Sequence, residues 1–193
     1  MAARYGRKLF VPVIIAVSIA VALSGCGGDT DRAKSDINSG DNMLLAVKTQ
    51  ETRLSTGINK LLDSVSKAIK EGKKPGVAAF EKGAAAVMAD AEAVKKAQVN
   101  AAREYRAASK LENAGDYAKY ASYKLQSSEL TLKGLDYLEK YLKDAGALVK
   151  SRNFNAEQFL KTTESAGQAL EETGKKVEAL QKQAENLGGS HKL

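Results

Sequence analysis

The chain has 193 residues, a formal net charge of +7 at pH 7, one cysteine, one histidine, two prolines and no tryptophan. A lone cysteine excludes an internal disulfide, and a single histidine leaves no set for a zinc site or a His-based catalytic triad. Alanine, lysine, leucine and glutamate dominate, which favours helix throughout, and basic residues scattered singly among acids give no stripe for nucleic acid.

Arg4, Arg7 and Lys8 form a basic head without an acid, and Leu9 to Leu23, "LFVPVIIAVSIAVAL", is uncharged and apolar before Ser24-Gly25. Such a head, an apolar run of roughly 7–15 residues and small residues at a cut site mark a secretory signal. The run is shorter than the roughly 20 residues that cross hydrocarbon comfortably; a short uncleaved anchor is the alternative. The tetrapeptide Leu23-Ser24-Gly25-Cys26 resembles the lipobox of bacterial lipoproteins. The resemblance covers residues 1–26 only. It implies removal of 1–25, a diacylglyceryl group on the Cys26 thiol, and often a further acyl chain such as palmitate on the new amine. Two or more chains hold a protein stably to a bilayer, each buried methylene adding about 0.8 kcal/mol. Gly27, rather than Asp, after the cysteine implies by the same resemblance an outer-membrane destination where the source has two membranes. The mature chain of 168 residues is the size of one domain. Its charge of +4 suits anionic headgroups or envelope polymers, or simply a solvated surface.

Residues 26–31 read as the acylated cysteine and a short tether, which places the first helix close to the bilayer. Three corners divide the rest into helices at about 32–71, 76–113, 116–150 and 155–187, with a flexible tail at 188–193. "EGKKPG" (71–76) offers Gly72 as a helix end and Pro75 at a new start. "ENAGDY" (112–117) offers Gly115 as an end and Asp116 as an N-cap. "SRNFNAEQ" (151–158) offers Asn155 as N-cap with Gln158 three residues on, a capping box.

Each segment repeats its apolar residues with a period near 3.5. The second carries Val77, Phe80, Ala84, Val87, Ala91, Val94, Gln98, Ala101, Tyr105 and Ala108, and the fourth runs from Phe159 and Thr163 to Ala184 and Leu187. In the first the stripe is Ile37, Gly40, Leu44, Val47, Glu51, Leu54, Ile58, Leu61 and Val65; in the third it is Leu125, Leu132, Leu135, Leu138, Leu142 and Val149. Sustained heptads joined by short corners predict an all-α fold, a long antiparallel up-down-up-down four-helix bundle with coiled-coil-like packing. A monomer is the favoured reading and helical hairpins paired between two chains the alternative. Glycines inside the helices, such as Gly57 and Gly83, predict either close helix approach or bends.

Turning about the corners near 73, 114 and 153 puts Glu51, Lys95, Gln98, Ser128, Thr131 and Thr173 at one height, so each stripe becomes polar midway along the rod. Such a layer reads as a register lock or as a small ligand pocket between helices. Tyr117, Tyr120 and Tyr123 would lie at the membrane-proximal end, where tyrosine suits either a lipid–water boundary or ordinary packing. Lys73, Lys74 and Arg152 would lie at the far tip, open to an acidic partner or placed there by the helix dipole. No catalytic, metal-binding or cofactor-binding set is expected, and the chain does not read as an enzyme. The expected role is a non-catalytic interaction or envelope-structure lipoprotein, tied to the membrane through Cys26, with a protein or anionic polymer as partner. The alternative is a ligand-binding or sensory bundle using the polar layer.

Overall fold

A computed structural model describes residues 28–191, and side chains as far as residue 188. The leader 1–25 and Cys26, on which the lipoprotein reading rests, lie outside the described residues, as do Gly27, Lys192 and Leu193. Among the described residues the chain is all-α, without strands: α1 (Gly28–Leu45), α2 (Lys48–Lys70), α3 (Val77–Ser109), a 3-10 turn (Glu112–Ala114), α4 (Asp116–Lys150) and α5 (Ala156–His191). Helix already begins at Gly28, inside the expected tether, and α5 continues into the stretch read as tail.

The segment expected as one helix over 32–71 is two. Val47 leaves the helix at φ −107°, ψ 9°, in the sparsely allowed bridge region. Its N–H closes a tight turn onto the Leu44 carbonyl at 3.2 Å. Neither glycine nor proline stands at this joint; only the weak helix formers Val47 and Thr49 distinguish it locally.

The corners carry their expected chemistry with one change. Gly72 adopts φ +68°; its N–H bonds the Ile69 carbonyl and that of Lys73 bonds the Ala68 carbonyl, the two bonds of a Schellman ending. Asn155 Oδ1 accepts the Gln158 N–H at 2.9 Å. Phe154 packs on Phe159 across that cap, ring centroids 6.0 Å apart, as a hydrophobic staple does. At the middle corner Gly115, φ +56°, takes the N-cap position, and Asp116 is the first residue of α4.

Side-chain pairs fix which heights meet. Gly40 meets the Tyr105 ring, Gly57 meets Val87 and Gly83 meets Leu61, so residues rising through α1 and α2 meet residues falling through α3. Lys95 bonds Asp136 and Lys150 bonds Glu81 between α3 and α4. Tyr141 meets Thr163 between α4 and α5. Where glycine was expected to allow either approach or a bend, the helices run on. A Cβ at Gly83 would lie 2.9 Å from Leu61 Cδ1, and one at Gly40 2.7 Å from the Tyr105 ring.

The main core joins Ile58, Leu61 and Val65 with Phe80, Val87, Val94, Leu138, Leu142 and Val149. Towards the other end the core is alanine-rich, built on Ala33, Ile37, Ala108, Tyr120 and Ala184. There the stripe of α4 is rotated from its expected phase. Leu125 and Leu132 are half-buried, while Lys124, Ser127, Ser128 and Thr131 are buried. Leu125 still packs against the cluster of Leu44, Ala97, Ala101 and Tyr105 from its edge. α5 packs along α4 and at most grazes α1 and α2.

Candidate functional site

Gln98 holds the centre of the expected polar layer. It follows Val94 and precedes Ala101 in the buried stripe of α3, is 1 % exposed, and its Oε1 has no hydrogen-bond partner. The helix pairings put Val47 opposite it. Gln50 and Glu51 stand one turn on from Val47, on the face that Leu54 continues. Their Oε1 atoms are also buried without a partner. Side chains lean toward the N-terminus of their own helix. In facing helices whose residues meet in opposite order, that lean carries Glu51 and Gln98 toward each other's height.

An isolated buried carboxylate is costly, and a buried oxygen without a donor also costs stability. Burial accordingly pushes the Glu51 carboxyl up from 4.5 to about 7, with Lys48 pulling weakly the other way. The site therefore holds a carboxyl that keeps its proton to higher pH, together with glutamine amides that each carry both a donor and an acceptor.

Lys95, Thr131 and Thr173 find partners of their own. Lys95 points outward to Asp136 at 2.8 Å and Glu139 at 3.6 Å, and these acids, the Asp136 bond first, raise its ammonium pKa. Ser128 and Thr131 are buried but fall lower, since Arg106 of α3 reaches Glu129 while Lys95 reaches Asp136. The Thr131 hydroxyl donates to its own helix at the Ser127 carbonyl, 2.9 Å. Thr173 likewise donates to the Ala169 carbonyl at 2.8 Å, and its methyl faces Gly134. Thr173 stands level with Gln98, because Gly134 lies two residues before Asp136, the partner of Lys95, while Ser128 and Thr131 fall toward the α1 end and the Glu51 backbone lies one turn the other way.

Toward the α1 end from Gln98 lies a cluster that sequence reasoning missed. Asp41 Oδ1 accepts the Tyr105 phenol at 2.6 Å and lies 2.7 Å from Lys124 Nζ. The two charged side chains are only 10–12 % exposed. The ammonium also stands over the Tyr105 and Tyr120 rings at 5.6 and 5.8 Å. Burial and then the Asp41 charge push the Tyr105 phenol far above its ordinary range, so it remains a donor. α1, α3 and α4 are pinned together here. Asp41 flanks the stripe beside Gly40, and Lys124 precedes Leu125; only a rotated phase for α4 reveals the pair.

Tyr120 is buried, Tyr117 and Tyr123 are half-buried, and Lys34 stands over the Tyr117 ring at 5.1 Å. At the opposite end, Lys74 donates to the Ser151 carbonyl and Lys73 bonds Glu71, while Arg152 is exposed. Among the described residues no three His, Cys, Asp or Glu side chains are grouped to hold a metal, and no helix is long and apolar enough to cross a membrane. No family model, curated protein or solved structure matches the chain.

Proposed function

We propose that this chain is a bacterial lipoprotein acylated at Cys26, with a non-catalytic interaction or envelope-structure role on the outer face of a membrane. The observation that carries the reading is Leu23-Ser24-Gly25-Cys26 placed directly after a basic head and an apolar run. The start of α1 at Gly28 supports a rod that rises almost from the anchor itself. On this reading the fold is an up-down-up-down four-helix rod, with α1 and α2 as one bent member. The opposed pairings of α1–α2 with α3, of α3 with α4 and of α4 with α5 support that order. The corner at 110–116 then lies toward the bilayer, because Asn113 bonds Asp29. The tip with Lys73, Lys74 and Arg152 lies away from it, available to a protein or an anionic polymer.

Cell fractionation of wild type and Cys26→Ser tests the anchor. Wild type is expected in the membrane fraction, resistant to high salt and released by detergent. The variant is expected to lose that partition or to accumulate with its leader attached. Identical detergent-dependent partition with mature length in both would refute the reading.

A second reading, a ligand-binding bundle, is favoured by one observation: buried oxygens without a hydrogen-bond partner on Gln50, Glu51 and Gln98, within about one helical turn of each other in height. Replacing Glu51 and Gln98 by leucine raises the melting temperature if the layer is only structural. Loss of a co-purifying small molecule on the same change supports the pocket.

A further inference from the structure

Charge is spread unevenly along the molecule. Two corners meet at the end away from Gly28, where Lys74 Nζ donates to the Ser151 carbonyl at 2.6 Å and Lys150 bonds Glu81 at 2.8 Å. Within about two helical turns of that end, over 66–83 and 143–161, stand nine cations and four carboxylates, an excess of five positive charges. The other described residues together carry an excess of two negative charges. All nine cations are exposed. Lys73 bonds Glu71 and Lys150 bonds Glu81. The other seven have no carboxylate partner among the described residues, and Asp144 and Glu157 are the remaining acids of that end.

We propose that this end is a collar for a linear polyanion, a flexible polymer with a phosphate or carboxylate on each repeat, which lies across the two corners and wraps back along the sides of α2, α3, α4 and α5. The collar narrows the partner that the reading above allows at the tip, and it rests on that reading only for where the tip points.

The helix dipole does not account for the collar. It favours cations in the last turn of a helix, which covers Lys67 and Lys70 of α2 and Lys150 of α4. Lys143 lies about two turns before the end of α4, and Lys82 and Lys161 lie in the second turns of α3 and α5. A cation gains nothing from the dipole at those places. These three are set back on three different helices, whereas a flat surface laid across the corners meets 70–74 and 150–152 first. A flexible chain reaches both sets. Eight of the nine cations are lysines, which bind as point charges without the fork geometry of arginine and so suit an anion read by charge density rather than by shape. A folded acidic protein would need an apolar centre to its contact. This end exposes one large apolar side chain, Leu160, while Pro75 and Phe159 are buried and Phe154 is half-buried.

Binding of the purified full chain in neutral detergent to immobilised linear polyphosphate and to poly-L-glutamate, at about 50 and about 200 mM salt, tests the collar. The assay involves no bilayer, so its outcome is separate from that of the Cys26 fractionation. Wild type is expected to bind at the lower salt and to lose more than about tenfold in affinity at the higher, as contacts made by many point charges do. The polymer bound more tightly identifies the anion. Lys82→Gln, Lys143→Gln and Lys161→Gln combined are expected to weaken binding about tenfold at the lower salt. Lys96→Gln, Lys110→Gln and Lys176→Gln combined remove the same charge from exposed positions outside the collar, and are expected to leave affinity within about twofold of wild type. Far-UV circular dichroism and thermal melts establish that both variants are folded. No binding of wild type to either polymer, an equal loss in the two variants, or a collar variant that binds like wild type, as a flat anionic surface across the corners would give, would each overturn the proposal.

Discussion

Gln98 and Glu51 are the residues at which the heptad rule and the core disagree. The stripe places both inward, and burial then acts on Glu51 through its proton. Its folded pKa near 7 lies above the ordinary 4.5, so the folded chain holds the proton more tightly than the unfolded one. The stabilisation this gives is complete below about pH 4.5 and is lost as pH rises through 7. Because part of the side chain remains open to water, the loss is on the order of 2 kcal/mol. Urea denaturation of wild type across pH 4.5–8 is expected to record it, and the difference between wild type and Glu51→Gln is expected to change by that amount over the same range. The Asp41–Lys124 pair gives a second residue-level expectation. Asp41→Ala leaves the Lys124 ammonium buried and costs about 3–5 kcal/mol, whereas Asp41→Leu combined with Lys124→Met is near neutral or stabilising. Denaturation midpoints of the two variants separate the penalty of an orphaned charge from the net worth of the pair.

At the level of the helices, the sequence is most readable where apolar stripes are large and uninterrupted. Phe80, Val87, Val94, Leu138 and Val149 are buried as their spacing requires, and the Asn155 cap and the Gly72 ending follow from side-chain chemistry within a few residues. Two features are not readable. The joint at Ala46–Val47 has no glycine or proline to mark it, and the heptad stripe passes through it unbroken. The first half of α4 reads one position out of phase when leucine is weighted over serine and lysine. There, close approach to an alanine-rich face favours the smaller residues, and Lys124 is admitted only because Asp41 meets it. The polar layer is legible as a set of polar residues within the stripes, but not which of them turn outward or bond their own backbone. Its level depends on how far each corner offsets one helix from the next, and a single glycine or cap does not fix that offset. Gly40 tests the close-approach argument. Gly40→Ala would set a methyl about 2.7 Å from the buried Tyr105 ring, and overpacking of this kind costs about 1–3 kcal/mol. A thermal melt of the variant is expected to show the loss, and Tyr105→Leu in the same background to recover part of it.

Taken whole, the molecule is a series of long helices stacked on one another in chain order, with its two ends chemically distinct. Alanine and tyrosine packing marks the end where α1 begins, and exposed cations mark the other. Exposed ion pairs such as Arg106–Glu129 and Lys150–Glu81 tie α3 to α4, each adding about 0–1 kcal/mol; burial of the stripes carries the stability. The proposed anchor turns on the state of Cys26, two residues before α1 begins at Gly28. Intact-mass and N-terminal peptide mass spectrometry of protein extracted from membranes reads this directly. The predicted result is a chain beginning at Cys26 with a diacylglyceryl mass on its sulfur. A chain that still carries residues 1–25 with an unmodified Cys26 would contradict it.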